Sequence, residues 1–183
     1  MSEEEHIKSH EGVLEKEIGG YRQFYLGIAE QLEKLGISIA GKPLSHLGYK
    51  TATLESYNEI RNRIMPLCGE YLENEHNGRP ILKAILKTPL QLATDTEVSM
   101  VELMPPKPDK HYDDGLEHLG VVLGKDLPVF IEQHRSRIDE IQDQGPYCKP
   151  ACIVLDDGSR VKFYEYSLRQ AIEMEGQVFQ NVQ

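Results

Sequence analysis

The tripeptide His-Leu-Gly occurs twice, as His46-Leu47-Gly48 and His118-Leu119-Gly120. An imidazole can ligate a divalent metal, carry a proton near neutral pH, or simply hydrogen-bond a loop. A single histidine at the start of a strand favours the last of these. Two histidines at matching places in a repeat favour the first, because equivalent side chains approach each other near a pseudo-twofold axis. A carboxylate, Glu102, stands in the apolar run Met100-Val101-Glu102-Leu103. Strand alternation sets it opposite Val101 and Leu103. If Glu102 faces inward, its burial is costly unless it is paired, protonated or bound to a metal.

The elements that must carry these residues follow from the apolar spacing. Leu14, Ile18, Tyr21, Tyr25, Ile28, Leu32 and Leu35 recur in steps of four and three, which predicts an amphipathic helix. Gly36 suits its C-terminal cap, and Gly19-Gly20 mark a kink or a split. After a linker, His46 to Thr53 reads as a strand. Thr53 then caps a helix with apolar positions Tyr57, Ile60, Ile64, Leu67 and Tyr71. Asn77-Gly78 is a turn, Pro80 to Lys87 and Val98 to Leu103 read as strands, and Pro105, Pro106 and Pro108 end the second.

The order then repeats. Leu116 to Leu123 reads as a strand, and Asp126 caps a helix whose apolar face is Leu127, Phe130, His134, Ile138 and Ile141. Ala151 to Leu155 and Arg160 to Tyr166 form a hairpin about Asp156-Asp157-Gly158-Ser159, and Ser167 to Glu175 closes as a short helix. Two strands, not three, are expected after the second unit's helix, with residues 143–150 as the source of any irregular third. The expected organisation is a mobile tail at 1–11, a helix and linker at 12–44, and one domain at 45–183 made of modules 45–110 and 111–183.

Composition bounds the function. With 20 Lys+Arg against 30 Asp+Glu the net charge is −10, which disfavours nucleic acid and anionic membrane as partners. No apolar run approaches the ~20 residues that span a bilayer, and the charged start MSEEEHIKSHEG has no signal-peptide core. Three cysteines and no secretory signal predict reduced thiols and a cytoplasmic protein. Cys148 and Cys152 read as small apolar residues at a strand entrance rather than half a zinc site. His6 and His10, four apart in a charged terminus, read as coincidence rather than a metal site.

Five stretches, in this order, resemble the YecM-like proteins of the vicinal-oxygen-chelate superfamily, which includes glyoxalase I, bleomycin-resistance proteins and extradiol dioxygenases. They are the His46 strand, Asn77-Gly78-Arg79-Pro80-Ile81, Val101-Glu102-Leu103 followed by prolines, Tyr112-x-x-Gly115-x-Glu117-His118, and Val161-Lys162-Phe163. The resemblance implies an α+β glyoxalase-like fold of paired βαβββ modules with an N-terminal helical extension. It also implies one divalent metal (Fe, Zn, Ni, Mn or Co) held by His46, Glu102 and His118 in a cup of two curved sheets.

The family pattern draws a fourth ligand from the last strand of the second unit. Here Tyr164 stands where a histidine is expected, Glu165 has ligand chemistry but shares the face of Phe163, and water is the third alternative. Around the cup, Arg79 could grip a carboxylate or phosphate or pair with a surface acid. Tyr112 could touch a substrate or pack. Lys50, on the face of His46, could neutralise an anionic ligand or pair with Glu102. Glu117 is expected on the opposite face, solvated or paired with a lysine, His134 in the core, and His76 and His111 in loops.

The implied activity is that of an isomerase, lyase or dioxygenase acting on a small oxygen-chelating substrate. Because the carboxylate precedes the second histidine, the first two classes are favoured over the dioxygenase. The alternative is a non-catalytic protein that binds a metal or a chelating small molecule. Monomer and homodimer are both compatible.

Overall fold

The computed structural model describes residues 12–183; the tail expected at 1–11, with His6 and His10, lies outside them. The N-terminal amphipathic stripe is split. Helix α1 covers residues 12–18 and α2 spans Tyr21–Lys34. The break falls at Gly19, whose φ of 80° lies in the left-handed region that glycine tolerates. Both pieces still bury one continuous stripe, from Leu14 and Ile18 to Ile28 and Leu32.

The first unit is β1 (Leu44–Lys50), α3 (Leu54–Ile64), β2 (Cys68–His76), β3 (Arg79–Ala93) and β4 (Thr96–Met104). Thr53 caps α3, its hydroxyl accepting from the Ser56 N–H. The helix stops at Ile64, short of the expected Tyr71. Pro66 falls in a 3-10 turn over Met65–Leu67, where it cannot continue an α-helix, and Tyr71 lies on β2. The same correction puts His76 at the end of a strand rather than in a loop. Asn77 and Gly78 both have positive φ, which matches the twist of the β2–β3 hairpin.

The second unit is β5 (Gly115–Val122), α4 (Leu127–Gln133), β6 (Glu140–Ile141), β7 (Ala151–Val154) and β8 (Arg160–Tyr164). Its helix also ends early, at Gln133, and Ile141 belongs to β6 instead. The third strand therefore exists, ahead of residues 143–150 rather than within them, and is only two residues long. Helix α5 (Leu168–Met174) and β9 (Gln180–Asn181) follow, β9 pairing with the edge of β2.

All nine strands of the described residues join one sheet in the order β6-β7-β8-β5-β1-β4-β3-β2-β9. Strands β1 and β5 run antiparallel at its centre, with Leu47 opposite Leu119. Each then takes a parallel neighbour, β4 beside β1 and β8 beside β5. The two units thus repeat one order about a pseudo-twofold axis through the Leu47–Leu119 pair, which is the expected pairing of βαβββ modules. Alternation sorts the side chains. Leu47, Val101, Leu119, Val161 and Phe163 join the core under α1, α2 and α3. On the opposite face, α5 covers a smaller cluster that includes Met100, Cys148 and Tyr164. Beside it lies a cavity of about 280 Å³ whose walls come from both units. No helix among the described residues is long and apolar enough to cross a membrane.

Candidate metal centre

The cluster rests on the central strand pair. His46 lies opposite Gly120, and Gly48 lies opposite His118. Each imidazole therefore crosses over the other copy's glycine. A β-carbon on Gly120 would stand 2.8 Å from two ring atoms of His46, and one on Gly48 would overlap the His118 ring further still. The repeated His-x-Gly is thus one device used twice: the glycine clears the space that the partner's histidine fills. Gly48 also pairs across its other edge with Glu102 on β4, which brings the carboxylate to the same point.

Three donor atoms meet there. The two Nε2 atoms are 3.0 Å apart, Glu102 Oε2 is 3.3 Å from His118 Nε2, and it is 3.8 Å from His46 Nε2. Ligands about 2.0–2.2 Å from one ion stand roughly 3.0 Å apart in octahedral geometry and roughly 3.4 Å apart in tetrahedral geometry. The observed separations bracket those values, so this donor set suits a single divalent ion.

The far side of each ring is also tied. His46 Nδ1 is 2.8 Å from Ser45 Oγ, and His118 Nδ1 is 2.8 Å from Glu117 Oε2. Both partners immediately precede their histidine, where alternation would point them away. Register shifts between Leu44 and His46, and between Gly48 and Tyr49, leave Ser45 and Glu117 without cross-strand partners. Such irregularities re-aim side chains, and here they turn both residues toward Nδ1. Glu117 is therefore not on the opposite face as expected. A carboxylate accepts only, so it draws the proton to Nδ1 of His118 and leaves Nε2 free to ligate. Ser45 Oγ accepts the Leu168 N–H at the start of α5 and has a second lone pair for a proton on His46 Nδ1.

The electrostatics agree. Burial lowers the His46 pKa to about 3, so the ring is neutral, the form that ligates. Burial works to raise the Glu102 carboxyl, but the adjacent His118 and His46 rings and the Lys162 ammonium outweigh it and hold Glu102 well below the usual carboxylate range. Glu117 behaves alike: burial opposes its ionisation, yet His118 brings it down to about 2.

The remaining candidates fall as follows. Glu165 is exposed in the bend after β8 and is not on the cavity wall, because alternation turns it away from Tyr164. Tyr164 is buried with its ring 5.6 Å from that of His46. The place equivalent to Glu102, however, belongs to Lys162, since Gly48 pairs with Glu102 as Gly120 pairs with Lys162. Arg79, Tyr112 and Lys50 all line the cavity. The Arg79 guanidinium donates to the Pro105 carbonyl, and Lys50 Nζ lies 4.9 Å above the Tyr112 ring rather than on Glu102. His134 is half-buried against Phe130. Cys148 and Cys152 are buried free thiols. Ser45, the two glycines and Lys162 are the residues that motif reasoning misses. The signal for the first three is that both copies read polar-His-Leu-Gly.

Paired βαβββ units with a cluster on their seam that could hold a metal define a glyoxalase-like fold. Within it, the YecM protein family model matches residues 14–175, and the chain belongs to that family. No curated protein matches the chain. Among solved structures, the structural-genomics protein EC4020 is similar with a TM-score of 0.69 and 23% identity, over 84% of this chain and 87% of that one. A methylmalonyl-CoA epimerase from Mycobacterium tuberculosis has a TM-score of 0.47 and 19% identity over 70% of this chain and 91% of its own. A catechol 2,3-dioxygenase has a TM-score of 0.42 and 15% identity over 67% of this chain and 40% of its own.

Proposed function

We propose that this protein holds one divalent metal through His46, Glu102 and His118 and acts on a small oxygen-chelating molecule. The observation that carries the reading is the meeting of three donor atoms from three strands, with both imidazoles anchored at Nδ1. Two imidazoles and one carboxylate suit Fe(II), Zn, Ni, Mn or Co. When bound, the ion supplies Lewis-acid polarisation of a substrate oxygen. The chain supplies the rest. Ser45 and Glu117 fix the ring orientations, α5 limits water on one side, and Lys162 places positive charge where a substrate oxygen would gain negative charge. Such a site supports an isomerase or lyase that moves a proton beside a polarised carbonyl; a dioxygenase is the variant for iron.

One observation favours a second reading, binding without turnover. Of the carboxylates on the cavity wall, Glu102 and Glu117 are engaged with the histidines, and Glu175 lies by the backbone of Tyr147. The Cys148 thiol is pushed up to about 11 by burial. No carboxylate or thiolate on the described wall stands ready as a base. Elemental analysis of untagged wild type, His118→Ala and Glu102→Ala tests the metal. About one ion per chain in wild type, lost in both variants, is expected. No metal in wild type, and no uptake of Fe(II), Ni, Mn or Zn, would overturn the proposal. Turnover of oxygen-chelating compounds by the metal-loaded protein separates the two readings.

A further inference from the structure

A buried ammonium without a counter-ion is costly, so its presence in a cavity wall calls for an explanation. Lys162 is 8% exposed, lines the cavity with Glu102 and Glu117, whose ionised forms its charge favours, and makes no direct hydrogen bond or ion pair among the described residues. Lys83, 7% exposed and paired across the sheet with Glu102, donates only to the Asn74 side-chain oxygen. Lys50, Arg79, Lys107 and Arg160 complete the cationic lining, and none of the six forms an ion pair among the described residues. A chain with net charge −10 thus sets six cations against three carboxylates, Glu102, Glu117 and Glu175, on the wall of this cavity.

We propose that this cavity binds a small carboxylate anion, with Lys162 as its main counter-charge and Lys83 in support. The volume, about 280 Å³, lies at the lower limit of the ~300–1,000 Å³ of pockets that take drug-sized ligands, which favours a small ligand. Phosphate sites usually draw on free backbone N–H groups. Here Lys83 and Lys162 project from paired strands whose N–H groups are committed to the ladder, and the floor offers ammonium groups instead. A carboxylate with an adjacent oxygen would meet both the metal and Lys162. The inference deepens the proposed function and rests on it for this second attachment, whereas the charge on Lys162 acts with or without a metal.

Calorimetric titration tests it, using oxalate, its uncharged isostere oxamide, and inorganic phosphate. Wild type, Lys162→Met and Lys162→Gln are each titrated metal-free and after Zn(II) loading, with metal content measured on the same samples. Oxalate should bind wild type about tenfold or more tighter than either variant, as loss of a charge-assisted contact implies. Oxamide should bind all three alike, and metal content should not change. Equal oxalate affinity in wild type and both variants overturns the inference, as does oxamide binding wild type as well as oxalate does. Tighter, Lys162-dependent binding of phosphate than of oxalate overturns the carboxylate assignment. If wild type takes up no metal but oxalate still depends on Lys162, the metal reading fails and this inference stands. Metal uptake in all forms with oxalate blind to Lys162 gives the reverse.

Discussion

Gly48→Ala is the most direct challenge to the crossed arrangement of the two histidines. The new β-carbon would lie 2.5 Å from His118 Nε2 and nearer still to two other ring atoms. Ordinary contact is roughly 3.5 Å, so the ring must retreat by about 1 Å or more. It has nowhere to retreat without loss, being fully buried, 3.0 Å from His46 and bonded to Glu117. Overpacking and the weakened charged hydrogen bond together should cost about 2–4 kcal/mol. For a chain of this size that lowers the melting temperature by about 4–16 °C. Metal affinity should fall by about a hundredfold or more, beyond the ~10–100-fold typical of outer contacts, because a proposed ligand itself moves. Gly120→Ala should cost less, since its β-carbon would come only within 2.8 Å of His46. In a His118→Ala background, Gly48→Ala should cost less than about 1 kcal/mol or be favourable, because the clash has gone. Thermal melts and metal titrations of the four variants provide the measurement. Gly48→Ala melting with wild type, or Gly120→Ala proving the more costly, would refute the reasoning.

Ser45→Ala should lower both melting temperature and metal affinity, the latter by about 10–100-fold, because the Leu168 N–H and the His46 Nδ1 lose their shared partner. Glu117→Gln should cut metal affinity by about tenfold while preserving shape, so unchanged affinity would exclude Glu117 from orienting His118. Away from the site, burial works to raise the Glu73 carboxyl, but hydrogen bonds from Arg61 and Tyr57 prevail and hold it below its ordinary 4.5. Its stabilisation is therefore complete above pH 4.5 and is lost as pH falls through the lower folded value. Denaturant titrations should show a shallower loss of stability below pH 4.5 in Glu73→Gln, and an unchanged slope would remove Glu73 from this account.

Alternation and the repeated tripeptide carry much of the architecture. They place Val101 and Leu103 on one face and Glu102 on the other, and they pair His46 with His118 before any coordinate is known. Other features leave weaker marks. Strand β2 is hidden because Leu67 and Tyr71 continue the helical spacing, and only Pro66 speaks against it. Strand β6 is too short for any period to show. The irregular pairing at Ser45 and Glu117 reverses their faces, and no composition records an unpaired residue. Lys162 emerges only from register: counted along the sequence, Tyr164 takes the expected ligand place, whereas pairing sets Lys162 beside Gly120.

The axis through Leu47 and Leu119 passes beside the cluster, and that has a consequence for handedness. A site assembled from two identical halves offers every guest two equivalent poses and cannot favour one side of a flat molecule. Here the halves have diverged at two places: a hydroxyl faces a carboxylate behind the imidazoles, and an ammonium answers the carboxylate beside them. Those differences remove the degeneracy and make the two sides of the seam chemically unlike. A planar guest can then settle in one orientation, with one prochiral face turned to the histidines.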